Sequence, residues 1–184
     1  MTRAGENEFE SIVLGGGCFW CLEAAYQMVQ GVTNVTSGYA GGHWPDPSYE
    51  RVSSGTTGHA EVVKVEFDPA KIKLETILDI FWTIHDPTTK DRQGHDIGTQ
   101  YRSVILYSGD RQKRIAESSR DAAGDLVEDP IVTEIKPLDN FYEAEAYHQN
   151  YFRNNPEQGY CQVVINPKLT KLKAKHAPLL KENA

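Results

Sequence analysis

Three consecutive glycines, Gly15–Gly17, separate a short apolar run from a stretch whose apolar residues recur at helical spacing. The run SIVL at residues 11–14 reads as a buried strand, and Leu22, Ala25, Tyr26 and Val29 then fall on one face of a helix that Gly31 is placed to stop. A chain that ends a strand and starts a helix over so few residues needs a backbone free to turn sharply, which glycine supplies. The junction sets the first unit of the fold as strand, tight turn and helix.

The same reasoning continues along the chain. Val32 to Tyr39 reads as a second strand, closed by Gly41-Gly42. The polar stretch HWPDPSYERVSSGTTGH reads as a long surface loop, and loops of that length in small domains are often functional. Glu61 to Phe67 (EVVKVEF) alternates as a strand, and Lys71 to His85 reads as a helix with Leu74, Ile77, Leu78, Phe81 and Ile84 on one face. The turn-rich DPTTKDRQGHDIGTQ precedes a strand over Tyr101 to Tyr107. Asp110 to Ala123 reads as a polar-faced helix, Ile131 to Ile135 as a strand, and Glu143 to Arg153 as a last helix. The order through Tyr107 is β-α-β-β-α-β, which predicts an α+β two-layer sandwich with a ferredoxin-like core and added C-terminal elements. A chain of 184 residues suits one domain, here 1–184 with its core over about 11–170.

The net charge of −7 argues against nucleic acid as a partner, because phosphate binding needs clustered Lys and Arg. The N-terminal MTRAGENEFES lacks the apolar segment of a signal peptide, and no apolar run reaches transmembrane length. The sequence therefore predicts a cytoplasmic protein with no membrane partner. Three cysteines are an odd number, so at least one thiol is free.

Cys18 stands between the glycine run and the first helical turn. Free backbone N–H groups and the helix dipole favour a thiolate there, and the glycines leave room for a substrate. The alternative is a buried structural cysteine. Cys18 and Cys21 form C-x-x-C, which also admits a zinc site or a thioredoxin-like dithiol. Zinc would need a second ligand pair, and Cys161, His43 and His59 do not supply one in a ligand motif. A thioredoxin-like fold would place the motif in a different strand order.

Strict alternation puts Glu61 on the sheet face of Val63, Val65 and Phe67, with Val62, Lys64 and Glu66 opposite. A carboxyl on that apolar face should hold its proton near neutrality and act as a general acid; at the strand end it would instead remain solvated. The loops supply Tyr49, Asp96 and Tyr101, which could hydrogen-bond a polar substrate oxygen near a reactive thiol. Phe19 and Trp20 are either core residues or the lining of a pocket for a small apolar group. Cys161, in NNPEQGYCQVV, follows a proline- and glycine-bearing stretch that suggests a mobile segment able to carry a second thiol to the first.

GCFW after a glycine run, GYAGG, Tyr49 in P-x-Y, TGHAEVV, HDPTTKDRQG, D-x-GTQYRS and NP-x-QGYC occur in that order. This ordered set resembles the peptide methionine sulfoxide reductase A family, which is specific for the S epimer, over roughly residues 11 to 170. The resemblance implies that Cys18 attacks the sulfoxide sulfur, that Glu61 protonates or hydrogen-bonds its oxygen with Tyr49, Tyr101 and Asp96 beside it, and that Phe19 and Trp20 receive the methyl group. It implies a sulfenic acid on Cys18, an intramolecular disulfide, thioredoxin as reductant, methionine-sulfoxide-containing proteins and peptides as substrates, and no metal or organic cofactor. Residue 21 is glycine in many members of that family and cysteine here.

Two thiols are therefore available for recycling. A bridge between Cys18 and Cys21 on one helical turn requires strained or locally unwound geometry, and the helix should keep Cys21 near Leu22 and Ala25. Cys161 is therefore the expected primary recycling thiol, with Cys21 as a further redox thiol.

Overall fold

A computed structural model of the chain describes residues 9–182. Most of the polar N-terminal stretch read above, residues 1–8, lies outside the described residues. In chain order the elements are β1 (Glu10–Gly15), α1 (Phe19–Gln27), β2 (Val32–Ala40), α2 (Tyr49–Ser53), β3 (Ala60–Phe67), α3 (Leu74–Ile84), β4 (Arg92–Gln93), β5 (Asp96–Ile97), β6 (Val104–Tyr107), α4 (Gly109–Gly124), β7 (Glu134–Pro137), β8 (Phe141–Glu143), α5 (Tyr151–Asn154) and α6 (Asn166–His176). Short 3-10 turns cover Thr99–Tyr101, Ala146–His148 and Ala177–Leu179, and a π-helical turn covers Cys161–Ile165.

Six strands form one sheet in the order β7-β6-β1-β3-β2-β8. Its four central strands pair antiparallel throughout, and β7 joins β6 in parallel. Because β1 and β2 both flank β3, and β3 and β6 both flank β1, each helical crossover skips one strand. Alternation along β3 sorts its side chains as read from the sequence. Val63, Val65 and Phe67 join the larger core with Phe19, Leu22, Tyr26, Ile77, Leu78 and Phe81. Val62 joins a smaller cluster on the opposite face with Val13, Val104 and Leu106, against which Leu138 and Phe141 pack. The five apolar positions expected on the core face of α3 are all buried. No helix among the described residues is long and apolar enough to cross a membrane.

The strand–glycine–helix junction forms as expected, and the packing shows why its last two glycines are needed. A Cβ on Gly16 would lie 2.9 Å from the His85 ring. Gly17 has φ +91 and would place a Cβ 2.7 Å from Gln93, so it combines a left-handed backbone with a close approach. His85 is buried and pushed down to about 4 chiefly by that burial, so it is neutral. It accepts from Ser103 Oγ at 2.7 Å, and Ser103 accepts from Thr133 at 2.7 Å.

Several expected elements differ. The long loop contains α2, whose Ser48 cap accepts from the Arg51 N–H at 3.4 Å. The strand expected from Tyr101 starts only at Val104, because Tyr101 ends a 3-10 turn. The strand expected over Ile131–Ile135 is Glu134–Pro137.

The helix expected over Glu143–Arg153 is replaced by the end of β8, a 3-10 turn, a left-handed Asn150 (φ 56) and the four-residue α5. Distant partners account for this. Gln149 bonds both the N–H and the C=O of Ser37 in β2 (3.0 and 2.9 Å), and the Tyr151 N–H donates to Glu23 in α1 (3.2 Å). The segment around Cys161 is also not irregular, since the π-helical turn runs directly into α6.

Candidate active site

Cys18 is the N-cap of α1 and is 8% exposed. The sequence expectation of a helix-stabilised thiolate is corrected here. Burial, then hydrogen bonding to Cys21 and the neighbouring Glu61, push the Cys18 thiol well above its ordinary value, while the Trp20 N–H works the other way. Burial is the chief physical reason, and the free N–H groups at the helix start are shared with a second group. The Phe19 N–H donates to Glu61 Oε1 at 3.2 Å, so the anion-stabilising end of α1 faces a carboxyl as well as the thiol.

Glu61 sits on β3 opposite Tyr39 of β2, with 1% of its surface exposed. Burial pushes its carboxyl up to about 8, with Asp96 and Cys21 adding to the rise and the Phe19 N–H and Cys18 opposing it. At neutral pH it is therefore a protonated acid in contact with the thiol, as the alternation argument anticipated.

The remaining expected polar groups converge from separate loops. Tyr49 opens α2, Asp96 lies on the β4–β5 hairpin, and Tyr101 ends its 3-10 turn. Tyr101 is raised by burial and then by Glu61, Asp96, Tyr49 and Cys18. Tyr49 is likewise raised by burial, with Glu61, Cys18 and Asp96 contributing. The Tyr101 carbonyl also accepts from the Gly17 N–H at 3.2 Å, which ties this turn to the glycine junction.

Phe19 is fully buried, its ring 5.7 Å from Tyr39 and 5.0 Å from His148. Trp20 is half-buried and held on three sides. It stacks on Tyr151 at 3.6 Å and 7°, meets Tyr160 edge-on at 5.8 Å, and donates its indole N–H to His148 Nδ1 at 3.1 Å. That bond makes Nδ1 the acceptor and leaves the proton on Nε2. His148 Nε2 is buried without a hydrogen-bond partner, and the His148 ring packs 4.8 Å from Tyr49. The site thus has an apolar, aromatic side beside a polar side that carries Glu61, Tyr49, Asp96 and Tyr101.

Cys21 and Cys161 are both buried free thiols near this cluster. Cys21 Sγ lies 4.0 Å from Tyr160 Oη, and Tyr160 donates to Asp96 Oδ2 at 2.6 Å. Its thiol is lowered chiefly by the hydrogen bond with Cys18, with Lys168 adding to the effect. Cys161 is raised by burial and by Cys21.

Sequence reasoning did not single out Glu23, Tyr39, His148, Tyr151 or Tyr160. Tyr160 had a signal, since it directly precedes Cys161 in the quoted QGYC. Tyr39 likewise stands in the quoted GYAGG, whereas Glu23, His148 and Tyr151 carry none, because their roles arise from contacts with distant elements. His59, weighed as a ligand, instead staples its loop, accepting from the Gly42 N–H at 3.0 Å and bonding the Trp44 carbonyl at 2.6 Å. Among the described residues no group of three or more His, Cys, Asp or Glu side chains is arranged to hold a metal.

The family model for peptide methionine sulfoxide reductase matches residues 10–180. The peptide methionine sulfoxide reductase MsrA of Leptospira borgpetersenii is 57% identical over 162 residues, covering 88% of this chain and 92% of that protein. That of Polynucleobacter asymbioticus is 53% identical over 182 residues, covering 98% and 96%. Among solved structures, Mxr1 of Saccharomyces cerevisiae in reduced form superposes with a TM-score of 0.80 at 36% identity, covering 86% of this chain and 92% of that one. The same yeast protein in complex with Trx2 superposes at 0.58 with 25% identity, covering 82% and 90%. Ordered motifs, site geometry and near-complete alignment agree, and the chain belongs to the peptide methionine sulfoxide reductase family.

Proposed function

We propose that the protein reduces methionine (S)-sulfoxide, free or within proteins and peptides, to methionine, acting as a peptide-methionine (S)-S-oxide reductase that repairs oxidised methionine. The observation that carries this reading is the protonated, buried Glu61 in contact with the Cys18 thiol, next to an aromatic wall. A sulfoxide is a compact dipole beside a methyl group. It calls for acid donors on one side and apolar surface on the other, which Glu61, Tyr49 and Tyr101 and then Phe19 and Trp20 would provide.

Cys18 sulfur attacks the sulfoxide sulfur as Glu61 passes its proton to the sulfoxide oxygen, and the thiol proton returns to Glu61. The oxygen leaves with Cys18 as a sulfenic acid while methionine departs as the thioether. The thiol is oxidised by two electrons and the sulfoxide reduced by two. Asp96 accepts from the Tyr160 hydroxyl at 2.6 Å and so fixes its direction. The remaining thiols, Cys21 and Cys161, convert the sulfenic acid to an intramolecular disulfide with release of water, so the cycle balances on thiols without a metal or organic cofactor.

Thioredoxin is the proposed external reductant, a reading supported by the yeast relative's complex with Trx2. Unpaired cysteines suit a reducing, cytoplasmic setting. The test is to mix the reduced protein, without added reductant, with a methionine (S)-sulfoxide peptide and measure methionine formed. Stoichiometric release is expected, with continuous turnover once thioredoxin and its reductase are supplied. Failure to consume the sulfoxide would overturn the reading.

A further inference from the structure

We propose that the protein carries a second ligand site, a cavity between the C-terminal ends of α3 and α4 and one face of α6, that binds a small organic anion: an apolar body with a carboxylate or phosphate head. The proposal is independent of the sulfoxide-reductase reading, because none of the groups assigned there to the sulfoxide lines this cavity.

The cavity measures about 1020 Å³, close to the upper limit of small-molecule sites at ~1,000 Å³. Its walls are chemically unlike. Trp82, Ala122 and Leu126 stand on the apolar side. The Trp82 N–H already donates to Ser119 Oγ at 2.8 Å, so the half-buried indole offers only its ring to a ligand. Leu126 is 86% exposed and leaves apolar surface open at the lip.

Lys168, Lys171 and Lys175 line the other side. They are spaced i, i+3 and i+7 on α6, which Leu169 and Leu172 anchor in the core. The chain carries −7 overall, yet α6, NPKLTKLKAKH, holds four lysines and no carboxylate. Among the described residues no carboxylate forms an ion pair with Lys168, Lys171 or Lys175. The two carboxylates of the wall are occupied elsewhere. Asp79 acts on His176, the last residue of α6, and Asp86 accepts from the Thr88 N–H at 2.9 Å. Asp86 feels the Lys171 charge without pairing with it. An anionic head between Lys168 and Lys171 would relieve the repulsion of two ammonium groups one helical turn apart and accept charge-assisted hydrogen bonds from both. The apolar body would then cover Trp82, Ala122 and Leu126.

The head end abuts the glycine turn that carries Cys18. Lys168 Nζ lies 3.9 Å from where a Cβ on Gly17 would stand. His85 and Gln93, on which Gly16 and Gly17 pack, belong to the cavity wall. A ligand seated there therefore touches the residues that support the turn.

The experiment titrates the full chain with naphthoate and follows assigned backbone and indole N–H resonances by NMR. Saturable shifts are expected at the Trp82 indole, Ala122 and Lys171, together with Gly16 and Gly17. Neutral naphthylmethanol should bind at least about tenfold more weakly, for want of the charged hydrogen bonds. Naphthyl phosphate that binds at least as well as naphthoate assigns a phosphate head, and weaker binding assigns a carboxylate. Inorganic phosphate alone should bind at least about tenfold more weakly than its naphthyl ester, because the apolar wall then has no partner. Lys168→Gln combined with Lys171→Gln should lose about tenfold in naphthoate affinity. Ala122→Trp, which fills the apolar side from an exposed position and keeps every lysine, should block it. Equal binding of naphthylmethanol, unchanged affinity in the double variant, or shifts that omit Gly16 and Gly17 would overturn the proposal. So would shifts centred on Phe19 and Trp20, or a sedimentation coefficient that rises with protein concentration, which would make this face a contact between copies of the chain.

Discussion

The Phe19 N–H donates to the Glu61 carboxyl at 3.2 Å, so the first residue of α1 and the second residue of β3 meet where a helix start faces a buried acid. The bond holds the carboxyl beside the thiol one residue before Phe19, and the burial that raises this carboxyl gives the site its pH dependence.

An acid is competent below its pKa, and Glu61 is pushed up to about 8. The rate of the first sulfoxide turnover should therefore be level near neutrality and fall as pH rises through about 8. Glu61→Gln should lower the rate by roughly two to four orders of magnitude. It should also remove the fall near pH 8, because the amide does not titrate. Single-turnover quench kinetics from pH 6 to about 9.5 would check both arms. A rate that climbs across this range would show that thiol ionisation, and not the acid, limits the step.

Cys18→Ser should abolish sulfoxide reduction while leaving the fold intact. Cys18 makes no side-chain capping bond, and serine is a favoured N-cap residue, so α1 loses nothing by the exchange. Thermal melting should show a midpoint no lower than that of the wild type, alongside absent turnover. Measurable methionine formation would remove Cys18 from its role.

Reduction should be confined to the S epimer. With acids on one side of Cys18 and Phe19 and Trp20 on the other, exchanging oxygen and methyl would press the polar oxygen onto the aromatic wall. Chiral chromatography of a racemic sulfoxide after exhaustive turnover should leave the R epimer untouched. Consumption of both epimers at similar rates would mean the two sides do not discriminate.

Gly17→Ala should destabilise the chain. The residue has φ +91, and the new Cβ would lie 2.7 Å from Gln93. The left-handed backbone alone costs about 1–2 kcal/mol for a residue with a Cβ, and the displaced Gln93 would add to that. Gln93 also accepts from the Asp86 N–H at 2.8 Å, so the loop bearing Asp96 should loosen with it. Urea unfolding compared at constant slope gives the measurement, and an unchanged midpoint would refute the packing argument.

The sequence by itself determined whatever depends on near neighbours. Period-two alternation placed Glu61 with Val63, Val65 and Phe67 because successive strand residues must point to opposite faces. The 3.6-residue period of α3 selected its buried face, and the glycines marked the turn that sets Cys18 at the head of α1. Only the tertiary structure decided the rest. Residues 143–153 carry a helical pattern, yet Glu23 takes the Tyr151 N–H and Gln149 pairs with Ser37, which makes an interrupted segment the better-satisfied one. The protonation state of Cys18 followed the same rule. A helix start favours a thiolate, but the Phe19 N–H bonds a carboxyl arriving from β3, 42 residues on, and burial outweighs the remaining N–H. Local periodicity records which way a side chain points, whereas charge state depends on which distant groups fold against it.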